Sequence, residues 1–125
     1  MIFDTDVMIW AFRGNPRALK AIDDAGLRAI SSVTYMELLQ GVRNKAEMRE
    51  MKRFLAKLSF STLPITANVS SRAVAILEDT ALKSDLGVCD ALIFATACEA
   101  GETLLSGNKK HFKEVSLLNA TEFKP

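Results

Sequence analysis

Residues 1–10 read Met1-Ile2-Phe3-Asp4-Thr5-Asp6-Val7-Met8-Ile9-Trp10, an apolar opening that stops at two acids and resumes at once. A buried strand that ends at a carboxylate and turns into a helix places that carboxylate at the edge of a sheet, where open α/β folds assemble their sites. The plainer reading of the same residues is that Asp4 ends the strand and Asp6 caps the next helix. The choice depends on what the rest of the chain brings to that edge.

A chain of 125 residues leaves room for one domain and not two. Its 49% hydrophobic and 25% charged residues are those of an ordinary globular domain, which argues against disorder and against a membrane protein. No apolar run approaches the roughly 20 residues that span a bilayer. Asp4 interrupts any signal-peptide core and no basic segment precedes it, so a cytosolic location is expected. Cys89 and Cys98 have neither zinc-knuckle nor disulfide-framework spacing and read as packing residues of a buried helix in a reducing compartment. A net charge of +1 decides nothing about nucleic acid, because local distribution matters more than the sum.

After the opening strand, Val7 to Phe12 reads as a short helix broken at Gly14-Asn15-Pro16. Pro16 suits the first turn of a second helix, which Gly26 ends. Arg28 to Ser31 is a short strand candidate. Ser32 to Gly41 combines a cap signature, an apolar helix and a glycine stop. Residues 45–59 form the clearest amphipathic helix, with Met48, Met51, Phe54, Leu55 and Leu58 as its apolar stripe. Phe60 to Ile65 reads as an edge strand or extended link, since Pro64 disfavours a central strand. Asn68 to Leu82 is helical in pattern, with Val69, Ala73, Ile76 and Leu77 inward, and Lys83 to Val88 is a loop. Cys89 to Ala100 is a strongly apolar helix with Asp90 at its start. Thr103 to Ser106 is a buried strand, residues 107–112 a turn, and Val115 to Leu118 a last short strand.

Strands alternating with helices over short connections imply a mainly parallel sheet covered on both faces. Every strand of such a sheet exits on the same side. Asp4, Glu37 and Asn108 lie at or just beyond strand exits, and Asp90 opens a helix whose first turn can face that side, so these residues can converge on one acidic pocket. Carboxylates so crowded raise one another's pKa unless something cationic sits between them. A hard divalent ion, Mg²⁺ or Mn²⁺, resolves the conflict, keeps several waters and meets substrate phosphates. The chemistry implied is metal-assisted phosphodiester hydrolysis.

Each of these residues also has a plainer reading. Thr34-x-x-Glu37 matches a capping box. Asp90 is a first-turn acid of the kind the helix dipole favours. Asn108 beside Gly107 is a common turn residue. His111 is more often a packed or solvated side chain than a ligand. Basic residues along 43–57 commonly solvate a helix. Lys109 and Lys110, which border the proposed pocket, and Arg43 are the candidate phosphate contacts.

The segments MIFDTDVMIW, SSVTYMELLQG, GVCDALIFATA and LLSGNKKHF occur in the order seen in PIN-domain proteins, and the chain resembles the ribonuclease toxins of VapBC toxin–antitoxin pairs over nearly its whole length. The resemblance implies a single nuclease domain over residues 1–125, folded as a compact three-layer α/β/α sandwich. It implies metal-dependent RNA cleavage, a small VapB-type antitoxin whose tail blocks the site, and a homodimer. Asp4 and Asp90 would be the principal metal ligands, with Glu37 binding a second ion or positioning water. Asn108 falls where many members carry a fourth acid and many others asparagine, which leaves one or two ions open. Ser106 stands where threonine is frequent and keeps a hydroxyl near the pocket.

Two other readings compete. Asp4-Thr5-Asp6-Val7 after an apolar strand also looks like the nucleophile motif of haloacid dehalogenase phosphatases, with Asp4 phosphorylated, Asp6 as acid/base, and Asp85 and Asp90 as an echo of the later acidic motif. The chain is short for that fold. A catalytically silent PIN-like binding module is the other, left open by Asn108. A response-regulator receiver fits the length but lacks a phosphoacceptor in residues 60–65.

Overall fold

A computed structural model describes residues 1–125. Strand β1 (Ile2–Phe3) is only two residues long, and helix α1 (Thr5–Phe12) starts immediately after Asp4. The chain continues through α2 (Pro16–Asp24), β2 (Ala29–Ser31), α3 (Ser32–Gln40), α4 (Lys45–Lys57), β3 (Ser61–Leu63) and α5 (Ala67–Thr80). It ends with α6 (Val88–Ala100), β4 (Leu104–Ser106), α7 (Lys109–Phe112) and β5 (Ala120–Glu122). The strands form one sheet in the order β3-β2-β1-β4-β5, and every neighbouring pair is parallel.

Successive side chains on a strand point to opposite faces, so a sheet buried on both sides needs two apolar layers. Ile2 and Leu104 pack into one layer with Val69 and Ile76 of α5 and Ile93 and Phe94 of α6. Their neighbours Phe3 and Leu105 turn to the other side with Ile30, meeting Val7 and Met8 of α1, Ile22 of α2 and Met51 and Leu55 of α4. The three-layer arrangement thus follows from pairs of adjacent apolar residues in very short strands. Helix starts are fixed by side-chain acceptors: Asn15 caps α2 ahead of Pro16, Ser31 caps α3, Asn44 caps α4 and Thr66 caps α5.

Four expectations need correction. Helix α1 begins at Thr5 rather than Val7, because Asp4 itself is the cap and accepts from Thr5 N–H at 2.8 Å. Residues 109–112 form a short helix rather than a turn. The last strand lies at 120–122, not 115–118. Val115 is buried in the layer with Phe112, and Val115 and Leu118 N–H close onto carbonyls three residues back. That apolar stretch is a packed turn, and the pairing with β4 falls on the half-exposed residues that follow. Cys89 is exposed at the start of α6 and Cys98 only half-buried; neither forms a disulfide.

Candidate active site

All strands run the same way, so β1, β2 and β4 release α1, α3 and α7 along one edge of the sheet. Asp4 stands at the first exit, only 5% exposed. Its Oδ1 accepts from Thr5 N–H, and its Oδ2 accepts from the fully buried Ser106 hydroxyl at 2.6 Å, at the exit of β4. Thr5, next in sequence, carries the link to the second exit. Its Oγ1 lies 2.7 Å from Glu37 Oε1 and 3.1 Å from Thr34 Oγ1. A hydroxyl has one proton, so Thr5 donates to the carboxylate and takes the Thr34 hydroxyl as its own donor. The capping-box reading of Glu37 therefore fails: Ser31 Oγ caps α3 by accepting from Val33 N–H at 3.0 Å, and Glu37 is turned towards α1 instead.

Asp90, in the first turn of α6, faces the same edge from the other layer. Its charge pushes Asp4 and Asp6 upwards, and it acts together with Glu37 on the thiol of Cys89. Burial is the largest influence on all three of those groups. Asp4 is pushed up to about 7, principally by removal from water, with Asp6 and Asp90 adding to the rise while the Ser106 and Thr5 donors oppose it. The only basic side chain within 4 Å of these acids is that of His111, whose Nδ1 is 3.7 Å from Asp90 Oδ2. No three His, Cys, Asp or Glu side chains close into a metal-ligating group. The acids share one electrostatic neighbourhood without being drawn into a ring. An all-oxygen donor set of buried or half-buried carboxylates with no lysine or arginine partner fits a hard divalent cation.

Asn108 begins α7 without a side-chain cap bond, leaving its amide uncommitted, while its N–H donates to Ser106 Oγ at 3.0 Å. The three candidate phosphate contacts are all exposed and ion-paired. Lys109 pairs with Glu122 at 3.3 Å, Lys110 with Asp85 at 3.3 Å, and Arg43 with Glu47 at 2.9 Å. Arg43 also lines a groove of about 480 Å³ that begins at Glu37 and includes Ile9, Phe12, Arg13, Val42 and Met51. A second cavity, between α5, α6 and the 114–117 turn, shares no residue with the acidic edge.

Sequence reasoning missed the hydroxyl chain through Thr5 and Thr34 and the contact of His111 with Asp85. The His111 Nε2 sits 2.7 Å from Asp85 Oδ1, and with Lys110 it holds that carboxyl down at about 2. His111 is thus anchored on Asp85, and its buried Nδ1 stands near Asp90 without a hydrogen-bond partner. Asp6 is not a free acid either: its Oδ1 accepts from Val7 N–H and its Oδ2 from Gly107 N–H. The dehalogenase reading needs Asp6 as a mobile proton donor, so this commitment removes it. A second acid two residues beyond a strand exit, opposite a glycine at another exit, is the signal that could have shown the pairing.

The chain matches the family model of the PIN domain over residues 1–118, and it belongs to that family. Its structure is similar to a chain of VapBC2 from Rickettsia felis bound to a DNA fragment from the promoter, at TM-score 0.83 and 22% identity, covering 99% of this chain and 100% of that one. It is also similar to a chain of a toxin–antitoxin complex from Klebsiella pneumoniae, at TM-score 0.77 and 28% identity, covering 98% of each. DNA-bound VapBC from Salmonella typhimurium matches at TM-score 0.82 and 21% identity, over 97% of this chain and 96% of that one. No curated protein matches. No helix is long and apolar enough to cross a membrane.

Proposed function

We propose that this chain is a single-domain, metal-dependent endoribonuclease and the VapC-type toxin of a toxin–antitoxin pair. The observation that supports the reading is the shared electrostatic neighbourhood of Asp4, Glu37 and Asp90, from separate elements, with no lysine or arginine paired to them. Asp4 and Asp90 would hold a Mg²⁺ or Mn²⁺ ion. When bound there, the ion supplies charge compensation at a phosphate and lowers the cost of deprotonating water. Glu37 Oε1 is held by Thr5, which leaves Oε2 to accept a proton from the attacking water. The uncommitted Asn108 amide orients the phosphate or a second ion. A P–O bond forms to the water oxygen as the bond to the ribose oxygen breaks, and that departing oxygen takes up a proton from solvent water.

Lys109, Lys110 and Arg43 supply phosphate contacts by exchanging their carboxylate partners for RNA. The structures of similar fold are described as toxin–antitoxin complexes, which supports a VapB-type antitoxin as partner, and the groove starting at Glu37 offers such a segment a path to the acids. The functional unit is a cytoplasmic homodimer.

The test is cleavage of a labelled single-stranded RNA after exhaustive chelation and then with Mg²⁺ or Mn²⁺ restored. Cleavage should require the added ion and be lost in Asp4→Asn and Asp90→Asn. Metal-independent cleavage, or full activity in either variant, rejects the reading.

A further inference from the structure

We propose that Asp6 is a positioning residue: with Gly107 it forms a latch that holds the β4–α7 turn against α1, so that Ser106 and Asn108 meet Asp4 in the arrangement the site requires. The inference rests on the function proposed above and extends it to a residue that touches neither ion nor RNA.

A carboxylate in the first turn of a helix ordinarily satisfies an N–H of its own helix, and Asp6 Oδ1 does so with Val7 N–H at 2.8 Å. Its second oxygen does something a cap does not need. Asp6 Oδ2 accepts from the N–H of Gly107, which is 101 residues away in sequence, at 2.9 Å. Gly107 is not in the left-handed region, so what glycine permits there is close approach rather than a special backbone angle. A Cβ built on it would collide with Asp6 Oδ2. The backbone approaches the carboxylate as closely as it does because there is no side chain between them.

The latch is one tooth of a longer seam. Asp4 N–H donates to Leu105 O at 2.9 Å, Ser106 Oγ to Asp4 Oδ2 at 2.6 Å, and Asn108 N–H to Ser106 Oγ at 3.0 Å. Residues 4 and 6 of one strand exit are thus joined point by point to residues 105 to 107 of another, and Asn108 is tied to them through Ser106. Of these bonds, the Asn108–Ser106 bond closes within the turn, and only the Asp6–Gly107 bond ties the turn that delivers Asn108 to α1. Asparagine cannot replace Asp6 in this role. Its single acceptor oxygen can serve Val7 or Gly107, and its NH₂ would then face the other N–H.

The test compares the full-length wild type with Asp6→Asn, Asp6→Ala, Gly107→Ala and the Asp6→Ala/Gly107→Ala pair. Three quantities are measured: the exchange rate of the amide proton at position 107, Mn²⁺ affinity by calorimetry, and kcat and KM for RNA cleavage. Each single variant should exchange the amide at position 107 faster and lose about 10- to 100-fold in Mn²⁺ affinity and kcat, with KM within about twofold. The double variant should be no worse than either single one, because the residues act through one contact. Wild-type Mn²⁺ affinity and cleavage in Asp6→Asn, or losses that multiply in the double variant, would overturn the latch. If the wild type cleaves no RNA with any divalent ion, the functional reading fails, while amide exchange and Mn²⁺ affinity still decide the latch.

Discussion

At the scale of single residues, the burial of the Asp4 carboxyl makes stability depend on pH. Its pKa is about 7 in the folded chain against an ordinary 3.8, so between those values the native state holds a proton that the unfolded state has released. Stability from this group is fully present below about pH 4 and is lost as pH rises towards 7. At about 1.36 kcal/mol per unit over three units, the loss approaches about 4 kcal/mol in metal-free protein. Urea midpoints of chelated protein should therefore fall from pH 4 to pH 7, and Mg²⁺ should recover most of the loss because the cation replaces the proton. Asp4→Asn keeps an acceptor for Thr5 N–H and removes the buried charge. It should be more stable than wild type at pH 8 without metal, while its cleavage is abolished; equal midpoints would show that burial of Asp4 costs little. Thr5 offers a cleaner separation, since its side chain bonds only to Glu37 and Thr34, while its N–H bond to Asp4 survives substitution. Thr5→Val should slow cleavage about tenfold and change unfolding free energy by about 1 kcal/mol or less. Steady-state kinetics with a parallel melt distinguishes this from a general loss of fold.

At the scale of elements, the caps set where each functional side chain emerges. Ser31 is fully buried and caps the helix that carries Glu37. Ser31→Ala should cost about 1 kcal/mol in urea unfolding with an unchanged m-value. An unaltered midpoint would mean that packing of Val33 and Leu38 fixes the helix start unaided. The same elements show how far the sequence could be read. The Asp4 exit, the Pro16 start, the amphipathic stripe of α4 and the apolar α6 carry strong local patterns, and each appears within a few residues of its expected bounds. The last strand is misread because its residues lie half-exposed at the sheet margin, while the more apolar Val115 and Leu118 are drawn under the preceding turn. Glu37 was ambiguous for a similar reason: a capping box and an active-site acid have the same local sequence, and only a hydroxyl from a distant helix separates them. The Asp6–Gly107 bond, spanning almost the whole chain, has no local pattern at all.

At the scale of the whole molecule, a net charge of +1 gives RNA little to follow from a distance, so attraction depends on where the cations sit. Lys109 and Lys110 open α7 beside Asn108, on the edge that carries the acids, and each is paired with an exposed or half-exposed carboxylate. Such surface pairs are weak, on the order of 1 kcal/mol or less, so exchanging them for phosphates costs little. Binding of a single-stranded RNA to Asp90→Asn protein, measured across salt concentrations so that cleavage does not intervene, should weaken with salt. Adding Lys109→Ala and Lys110→Ala should reduce the logarithmic slope by about 1.4, the counterion release of two single-strand phosphate contacts, and weaken binding similarly for unrelated sequences. An unchanged slope would move the RNA path to the opposite side of the acids, along the groove that runs from Glu37 past Arg13 and Arg43. Arg13→Ala would then be the substitution that flattens it.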